Sequence, residues 1–311
     1  MNNANMLKLN NTAEYKCGYT AVLARPNVGK STLVNFITGQ KIAIATHVAQ
    51  TTRKQIKGIF TDNEAQIIFI DTPGIHKPLN KLGEFLHAQS VCAVEDADVI
   101  LFMVDASVPA GKGDIWIVEN YLKKTKKPVI IAANKIDLIK DKTKKEADII
   151  SYKTLFNKNI PIIKISAKTG KNIDKLMTKI KQFLPPGCPL YSDDIITDQN
   201  MRMIASEVIR EKIILNTKDE IPHSVAVLID EYKAENDIDK IKATIFVSAD
   251  SQKGIIIGKQ GSMLKKIGID ARLELEEIIE KKVFLELFVK VKKNWQKDET
   301  ALKMLGYKKD K

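Results

Sequence analysis

The chain of 311 residues has 50 lysine and arginine residues against 38 aspartate and glutamate residues, so its formal net charge is +12. A hydrophobic fraction of 44% supplies cores for one large or two ordinary domains and excludes a disordered chain. No uncharged apolar run reaches the roughly 20 residues that cross a bilayer, and residues 1–16 lack the apolar stretch of a secretory signal. We therefore expect a soluble intracellular protein.

The cysteines and the basic residues narrow the chemistry further. Cys17, Cys92 and Cys188 are far apart in sequence, which favours reduced thiols over a disulfide or a zinc site. The positive charge favours an acidic partner, either nucleic acid or a lipid surface. Most of this charge is lysine, which binds phosphate as a point charge and lacks the planar fork of arginine.

Short apolar, β-branched runs recur through the first half of the chain, and longer amphipathic stretches separate most of them. These runs are residues 19–24, 65–70, 99–104, 129–133 and 160–165. Strands that alternate with helical patterns predict an α/β fold, a mostly parallel sheet with helices on both faces. Residues 55–60 form a further predicted strand, close enough to 65–70 for a hairpin, the one antiparallel pair expected in this sheet.

The chain is predicted to divide at Leu184-Pro185-Pro186-Gly187, because two prolines and a glycine end a helix. The expected parts are an N-terminal extension (1–16), a first domain (17–184), a linker (185–198) and a second domain (199–311). The pattern of the second domain is α+β: a helix at 199–215, strands at 224–230 and 243–247, a glycine-rich turn, a helix and a strand at 283–291. The last helix has an apolar face formed by Leu264, Ile267, Ala271, Leu275 and Ile278.

The first predicted strand ends at Ala24-Arg25-Pro26-Asn27-Val28-Gly29-Lys30-Ser31, which has the spacing of a phosphate-binding loop. In such a loop, successive backbone N–H groups surround the β-phosphate, and the following helix contributes the positive end of its dipole. Gly29 permits the close backbone approach, Lys30 reaches the β- and γ-phosphates, and the Ser31 hydroxyl ligates Mg²⁺. Ala24 replaces the usual leading glycine, and its methyl group strains the loop only if its φ is positive.

A second cluster, Asp71-Thr72-Pro73-Gly74, directly follows the predicted strand at 65–70. The Asp71 carboxylate is expected to hold Mg²⁺ through water, and the Gly74 N–H to face the γ-phosphate. Between the two clusters lies the polar stretch Gln50-Thr51-Thr52-Arg53, from which a threonine hydroxyl can complete the Mg²⁺ shell and sense the γ-phosphate. We favour Thr52 for this role, although the spacing leaves Thr51 as an alternative.

Two further clusters, Asn134-Lys135-Ile136-Asp137 and Ser166-Ala167-Lys168, follow the last two predicted strands of this half. The Asp137 carboxylate can accept from the N1–H and the exocyclic amine of guanine together, a donor pair that adenine lacks. It therefore predicts selectivity for GTP over ATP. Asn134 is expected to brace the neighbouring loop, the Lys135 stem to cover the base, and a backbone N–H of the last cluster to bond guanine O6. Because the carboxyl ends of parallel strands meet at one edge of a sheet, all these clusters are expected to form one site.

In the second half, Gly258-Lys259-Gln260-Gly261 stands between the apolar run 254–257 and the amphipathic helix. Glycines at both corners let a phosphate backbone approach, and Lys259 supplies charge. With the strand–strand–loop–helix–strand order around it, this loop resembles the clamp of a type II KH domain, which holds about four single-stranded nucleotides. Ile256 and Ile257 are expected to support stacked bases. The tail at 281–311, with ten lysines against four acidic residues, is expected either to lie against RNA or to form a solvated basic face.

The ordered clusters resemble those of the translation-factor-related GTPases and, within them, the Era family, the KH-domain GTPases of bacterial small-subunit assembly. The matching segments are 25–32, 49–53 and 71–74 in the first half, and 196–198, 205–207, 209–212, 285–287, 289–291 and 305–307 in the second. The resemblance implies a P-loop GTPase domain followed by an α+β type II KH domain. It assigns nucleotide contacts to Ala24, Arg25, Pro26, Asn27, Val28, Gly29, Lys30, Ser31, Thr32, Asp71, Thr72, Pro73, Gly74, Ile75, Asn134, Lys135, Ile136, Asp137, Ser166, Ala167 and Lys168.

Catalysis is assigned to Lys30, Thr52 and Gly74. In Ras-like enzymes a glutamine after the Asp-x-x-Gly segment orients the attacking water. This sequence has Ile75 there, so slow intrinsic turnover is expected, and the adjacent His76 is interpreted as a solvated loop residue. Related GTPases with an asparagine at the position of Asn27 can use K⁺ beside the phosphates, so Asn27 is either a K⁺ ligand or a hydrogen-bonding brace of the loop.

The resemblance implies a GTP-hydrolysing switch that binds the 3′ end of small-subunit ribosomal RNA through Gly258, Lys259, Gln260 and Gly261 and assists assembly of the 30S subunit. It also implies a cytoplasmic monomer that binds no DNA and associates peripherally with the inner face of the cell membrane, although the sequence shows no amphipathic anchor. The alternative is an RNA-binding protein whose nucleotide domain is weakly active or structural. A GTPase of tRNA modification or vesicle traffic is disfavoured by the glycine loop and the final strand.

Overall fold

The computed structural model describes residues 15–44, 46, 52–75, 78–139, 142–156, 159–218 and 221–307. These residues form two compact units. Among these described residues, the first unit draws on those within 15–43, 52–75 and 89–198, and the second on 44, 46 and those within 78–88 and 199–307. Several predicted features lie outside the described residues, namely 1–14 of the N-terminal extension, Gln50, Thr51, His76 and 308–311 of the tail. Within the described ranges, no helix combines the length and the apolar character needed to cross a membrane.

The first unit contains a six-stranded sheet. Its strands are β1 (Lys16–Leu23), β2 (Ile56–Thr61), β3 (Ala65–Asp71), β4 (Val99–Asp105), β5 (Val129–Asn134) and β6 (Ile162–Lys164). They lie in the order β2-β3-β1-β4-β5-β6, and every neighbouring pair is parallel except β2 and β3, which form the predicted hairpin. The predicted strands of this half are thereby confirmed, with β6 shorter than expected.

Helices cover both faces of this sheet. Because successive side chains of a strand point to opposite faces, they pack in two separate hydrophobic cores, one on each face. The helices are α1 (Lys30–Thr38), α3 (Lys112–Ile117), α4 (Lys142–Lys153) and α5 (Ile173–Phe183), with a π-helical turn at Val118–Leu122 and a 3₁₀ turn at Ile136–Leu138. Helix α2 (Lys81–Asp96) is shared, because only its part from residue 89 onward belongs to this unit. Val22 packs in one core with Leu33 and Leu176, whereas its neighbour Leu23 packs in the other core with Ile117. The predicted α/β fold is confirmed.

The segment at 185–198, predicted as a linker, makes its contacts with the first unit. The Ile59 N–H on β2 donates to the carbonyl oxygen of Ile196 over 2.8 Å. Nearer the prolines, the buried side chain of Gln66 on β3 donates to the Tyr191 carbonyl oxygen over 2.8 Å and accepts from the Tyr191 N–H over 2.9 Å. The change from one unit to the other falls after Asp198.

The second unit contains strands β7 (Ala226–Ala234), β8 (Ile238–Val247) and β9 (Lys282–Val291), with β8 in the centre. β7 is antiparallel to β8, and β9 is parallel to it. Its helices are α6 (Met201–Asn216), α7 (Ile221–Ser224), α8 (Asp250–Ile257), α9 (Ser262–Ile279) and α10 (Glu299–Met304). The predicted apolar face of α9 is confirmed, because Ile267, Ala271 and Leu275 are fully buried in the core of this unit.

Helix α8 corrects one prediction. Residues 254–257, interpreted as an apolar run that leads directly into a loop, form the last turn of α8, so a helix separates β8 from the glycine loop. Ile256 is fully buried in the core and cannot support a stacked base, whereas Ile255 is 48% exposed. A run of three isoleucines is too short for its periodicity to distinguish a helix from another buried segment.

Candidate functional site

The loop between β1 and α1 brings the predicted phosphate-binding residues together. Gly29 has φ 105° and caps α1, a conformation that glycine adopts without strain. Ala24, which replaces the usual leading glycine, keeps a negative φ and buries its methyl group in the core, so the substitution does not strain the loop. Asn27 has φ 63°, in the left-handed region that asparagine tolerates better than most residues.

Three oxygen-bearing side chains from separate segments converge beside this loop. The Ser31 hydroxyl at the start of α1 donates to Asp71 Oδ2 over 2.8 Å and lies 3.0 Å from Thr52 Oγ1. Thr52 Oγ1 in turn donates to Asp71 Oδ2 over 3.3 Å. The other carboxyl oxygen of Asp71 is buried and has no hydrogen-bond partner among the described residues. Two hydroxyls and a buried carboxylate are ligands that suit Mg²⁺.

Lys30 and Asp71 form a buried pair of opposite formal charge. Burial lowers the pKa of the Lys30 ammonium, and the attraction of Asp71 opposes this only in part. Burial likewise raises the pKa of the Asp71 carboxyl, although Lys30 and the hydroxyls of Ser31 and Thr52 act in the opposite direction. A phosphate chain would add negative charge next to the ammonium, and a divalent cation would add positive charge next to the carboxylate. Both additions would favour the charged forms that burial disfavours.

The residues after β3 hold the loop from its other side. The Thr72 hydroxyl donates to the Val22 carbonyl oxygen over 2.8 Å. A Cβ on Gly74 would lie 3.0 to 3.2 Å from three atoms of Pro26, so only glycine permits this close approach of two backbones without adjustment. Ile75 does not fit its predicted nucleotide contact. Its side chain is buried in the core and its N–H donates to the Ala24 carbonyl oxygen over 3.0 Å, which leaves neither group for a phosphate.

Asn134 ties the predicted base-binding segments to the phosphate loop, as its sequence position led us to expect. Its side-chain amide donates to the Val28 carbonyl oxygen over 2.8 Å, and its side-chain oxygen accepts from the Ala167 N–H over 2.8 Å. Asp137 is exposed, and its Oδ1 accepts from the Ser166 hydroxyl over 2.6 Å. This bond orients the carboxylate, and among the described residues Oδ2 has no hydrogen-bond partner, so it can accept from a ligand.

Two carboxylates in this region carried no motif and escaped the sequence analysis. Asp105, the last residue of β4, accepts from the Lys135 ammonium over 2.7 Å. Burial alone would raise the pKa of Asp105, but hydrogen bonds from Lys135 and Ser107 outweigh it and lower the pKa. Asp114 on α3 lies 3.3 Å from Arg25 Nε, and burial raises its pKa despite that arginine. Its position at the carboxyl end of a strand could have identified Asp105, whereas nothing local marks Asp114.

The glycine loop of the second unit is open to solvent. Gly258 and Gly261 have φ of 71° and 78°, and a Cβ on Gly258 would lie 2.7 Å from Cβ of Met263. Lys259 and Gln260 between them are exposed, and Gln260 has φ 50°. The loop therefore projects a cation and an amide from a tight turn that immediately precedes α9, whose first N–H groups face the same end.

Comparison with protein families supports the same division of the chain. The model of the 50S ribosome-binding GTPase family matches residues 19–135, and the KH-domain model matches residues 220–296. A GTPase Era of Ruminiclostridium cellulolyticum is 48% identical over 298 residues, which cover 96% of this chain and 99% of the relative. The GTPase Era of Fusobacterium nucleatum is 46% identical over 94% of this chain and 99% of its own length.

Two crystal structures have the same architecture over nearly the whole chain. Era in complex with MgGDPNP and nucleotides 1506–1542 of 16S ribosomal RNA superposes with a TM-score of 0.91 at 41% identity, over 94% of this chain and 99% of the other. A variant of Aquifex aeolicus Era bound to GDP·AlF4⁻ gives a TM-score of 0.90 at 42% identity with the same coverage. These similarities extend across both units described above.

Proposed function

This chain belongs to the Era family of GTPases, and we propose that it is a nucleotide-controlled switch that binds the 3′ end of small-subunit ribosomal RNA and assists assembly of the 30S subunit. It is a GTPase with a KH domain. The observation that carries the proposal is the presence in one chain of the converging Ser31, Thr52 and Asp71 side chains and of an exposed, glycine-bounded cationic loop. A relative was crystallised with both kinds of ligand, MgGDPNP and the end of 16S ribosomal RNA.

In this proposal, Ser31, Thr52 and Asp71 hold Mg²⁺. The observation in favour of that ion is Asp71 Oδ1, which is buried and has no hydrogen-bond partner among the described residues. When bound, Mg²⁺ neutralises phosphate charge. Lys30 holds its ammonium beside the β- and γ-phosphates, and Gly74 presents its backbone N–H to the γ-phosphate. Asp137 selects the guanine base. Lys30 and Ser31 follow β1, Asp71 and Gly74 stand at the end of β3, and Asp137 follows β5, whereas Thr52 comes from the segment before β2.

Intrinsic hydrolysis is proposed to be slow. The buried Ile75 stands where Ras-like enzymes have a water-orienting glutamine, and its side chain has no polar atom. The positions of Arg25 and Arg53 support no arginine finger, because Arg25 is paired with Asp114 and Arg53 is buried. Water is therefore placed by backbone groups, by an ion or by a partner.

We propose that Asn27 helps to hold a K⁺ ion beside the phosphates, since it stands exposed in a left-handed turn of the phosphate loop. GTP turnover is then expected to be roughly tenfold or more faster in KCl than in NaCl at equal ionic strength, because a fixed cation stabilises charge that develops in the transition state. The Asn27→Ala variant should lose this difference. Equal turnover of the wild-type protein in the two salts would mean that Asn27 only braces the loop.

The RNA clamp makes a separate prediction. Replacing both Lys259 and Gln260 with aspartate places two anions in the exposed loop and should weaken binding of single-stranded RNA by about tenfold or more, because phosphates are repelled. Fluorescence anisotropy with an oligonucleotide of the 16S 3′ end measures this. The control variant exchanges the exposed Lys126 and Gln40 for aspartate and should leave affinity within about twofold. If both variants bind equally well, the loop is not the clamp.

The proposed target is tested by crosslinking RNA to the protein in cells and sequencing the bound fragments. Reads concentrated at the 3′ end of small-subunit ribosomal RNA are expected. Reads spread over unrelated transcripts would contradict the target.

The alternative function, an RNA-binding protein with a weakly active or structural nucleotide domain, predicts GTP turnover no higher than that of the Lys30→Ala variant.

The cellular setting follows from the family and is proposed with it. We place the protein in the cytoplasm, as a monomer that binds GTP and GDP and works on the 30S subunit. Peripheral association with the inner face of the cell membrane stays a prediction, and flotation of the protein with vesicles of bacterial lipids tests it. No contact with DNA is proposed.

A further inference from the structure

A surface groove of about 400 Å³ lies between two helices of the second unit, separate from the glycine loop. The last turns of α6 form one wall, and the second half of α9 forms the other. An ion pair between Lys212 on α6 and Glu274 on α9 joins the two walls. The Asn216 side chain also donates to Asp270 Oδ2 over 3.1 Å, so the groove is a defined feature of the packed helices.

The groove is acidic although the chain is basic. Asp270, Glu274 and Glu277 face a single ammonium, that of Lys212, which leaves a net charge of −2 in a chain whose formal charge is +12. The three carboxylates lie at i, i+4 and i+7 along α9 and therefore share one face of the helix. Glu277 has no ion pair among the residues that the structure describes. Such a surface repels the phosphates of nucleic acids and attracts basic side chains.

Apolar side chains stand beside these charges. Leu215 on α6 and Leu273 on α9 line the groove, and each is 49% exposed. Ile269, one turn earlier on α9, is 42% exposed. Two helices with leucines on either side of a groove can accept the ridge of a third helix, which is a common way of binding an amphipathic peptide.

We infer that this groove binds a basic amphipathic helix of a partner protein. An apolar side chain of the partner lies between Leu215 and Leu273, and lysine or arginine residues next to it face Asp270 and Glu277. Charge complementarity determines the class of partner, because the three carboxylates would repel an acidic peptide or RNA. The inference goes beyond the proposed function and does not depend on it.

The test uses the full-length protein and a fluorescein-labelled synthetic helix of about 16 residues, with leucines at i and i+4 flanked by lysine and arginine. Saturable binding is expected in fluorescence anisotropy. Exchanging Asp270 and Glu277 for lysine should weaken it by at least about tenfold, which corresponds to 1.4 kcal/mol. Leu273→Ser keeps the charges and should weaken binding several-fold through the apolar contact.

The matched control exchanges the exposed Asp193 and Asp194 for lysine, which alters the net charge by the same amount. It should leave peptide affinity within about twofold. Far-UV circular dichroism and the melting temperature should match the wild type in every variant, which shows that both units have folded. Absence of saturable binding overturns the inference, as does equal binding of a peptide with glutamate in place of the basic residues. If analytical ultracentrifugation shows that the wild-type protein is a dimer and that the groove variant is a monomer, the groove binds a second copy of this chain. That result would also overturn the inference.

Discussion

GTP turnover is expected to fall by roughly two to three orders of magnitude when Lys30 is replaced by alanine. The Lys30 side chain is buried, and its ammonium lies in a region of low polarity where burial already lowers its pKa. A charge in such a place interacts strongly with a phosphate because little water screens it. Its loss therefore removes a large part of the stabilisation of the transition state.

Single-turnover hydrolysis of GTP measures this effect, and Lys124→Ala, on an exposed lysine, is the matched control. The control should retain wild-type turnover. Turnover of the Lys30 variant within about threefold of wild type would contradict the assignment, since a donor in a preorganised site contributes far more than that. Melting of both variants by circular dichroism separates a catalytic loss from unfolding.

Replacing Asp137 with asparagine is expected to weaken GDP binding by roughly two to four orders of magnitude. The carboxylate accepts two guanine hydrogen bonds, and a hydrogen bond to a charged group contributes about 1.5 to 3 kcal/mol. An asparagine amide presents a donor to the guanine amine where an acceptor is needed. It does suit xanthine, which carries an oxygen at that position, so xanthosine diphosphate should bind the variant more tightly than GDP.

Isothermal titration calorimetry with GDP, xanthosine diphosphate and ADP checks the preference. Asp174→Asn, on an exposed aspartate in the first turn of α5, is the control and should bind GDP as the wild type does. Unchanged GDP affinity in the Asp137 variant would show that another group selects the base. The Ser166 hydroxyl donates to Asp137 Oδ1 over 2.6 Å and so orients the carboxylate. The Ser166→Ala variant should therefore also bind GDP more weakly, but with a smaller loss than the Asp137 variant.

Much of this fold could be predicted because the signals are local. The strand runs of the first half are short, β-branched and followed by polar clusters, and parallel pairing brings those clusters to one edge. The contacts of Asn134 with Val28 and Ala167 follow from this arrangement. The harmless substitution at Ala24 could not be foreseen, because it depends on the sign of one φ angle.

Other features were missed either because they depend on contacts between distant residues or because the local pattern was too weak. The pairing of Arg25 with Asp114 joins segments far apart in sequence, and the pairing of Lys135 with Asp105 depends on the packing of neighbouring strands. Helix α8 was missed because Gly254 weakens a helical pattern that the following isoleucines do not restore. Because residues 254–257 belong to this helix, Ile256 lies in the core. The prediction that Ile256 contacts a base was wrong for this reason.

The structure also connects the nucleotide site with the segment that ends at Asp198, through the chain from Thr52 to β2 and then through non-covalent contacts of β2. Thr52 precedes β2, which begins at Ile56. β2 contacts the segment that leads into the second unit, through the bond from Ile59 to Ile196 and through Lys57, whose ammonium lies 3.0 Å from Asp198 Oδ2. We therefore predict that a change in the position of Thr52 between nucleotide states alters the segment that ends at Asp198.

The most direct test is the affinity for an RNA oligonucleotide of the 16S 3′ end, measured with the protein saturated either with GDP or with a non-hydrolysable GTP analogue. Binding of nucleotide and RNA to one switch must be coupled, and coupling free energies of about 1 to 3 kcal/mol are usual. We predict that the two affinities differ by at least about fivefold, and that the difference disappears in the Thr52→Ala variant. Equal affinities in the wild-type protein would contradict the account of a nucleotide-controlled RNA switch.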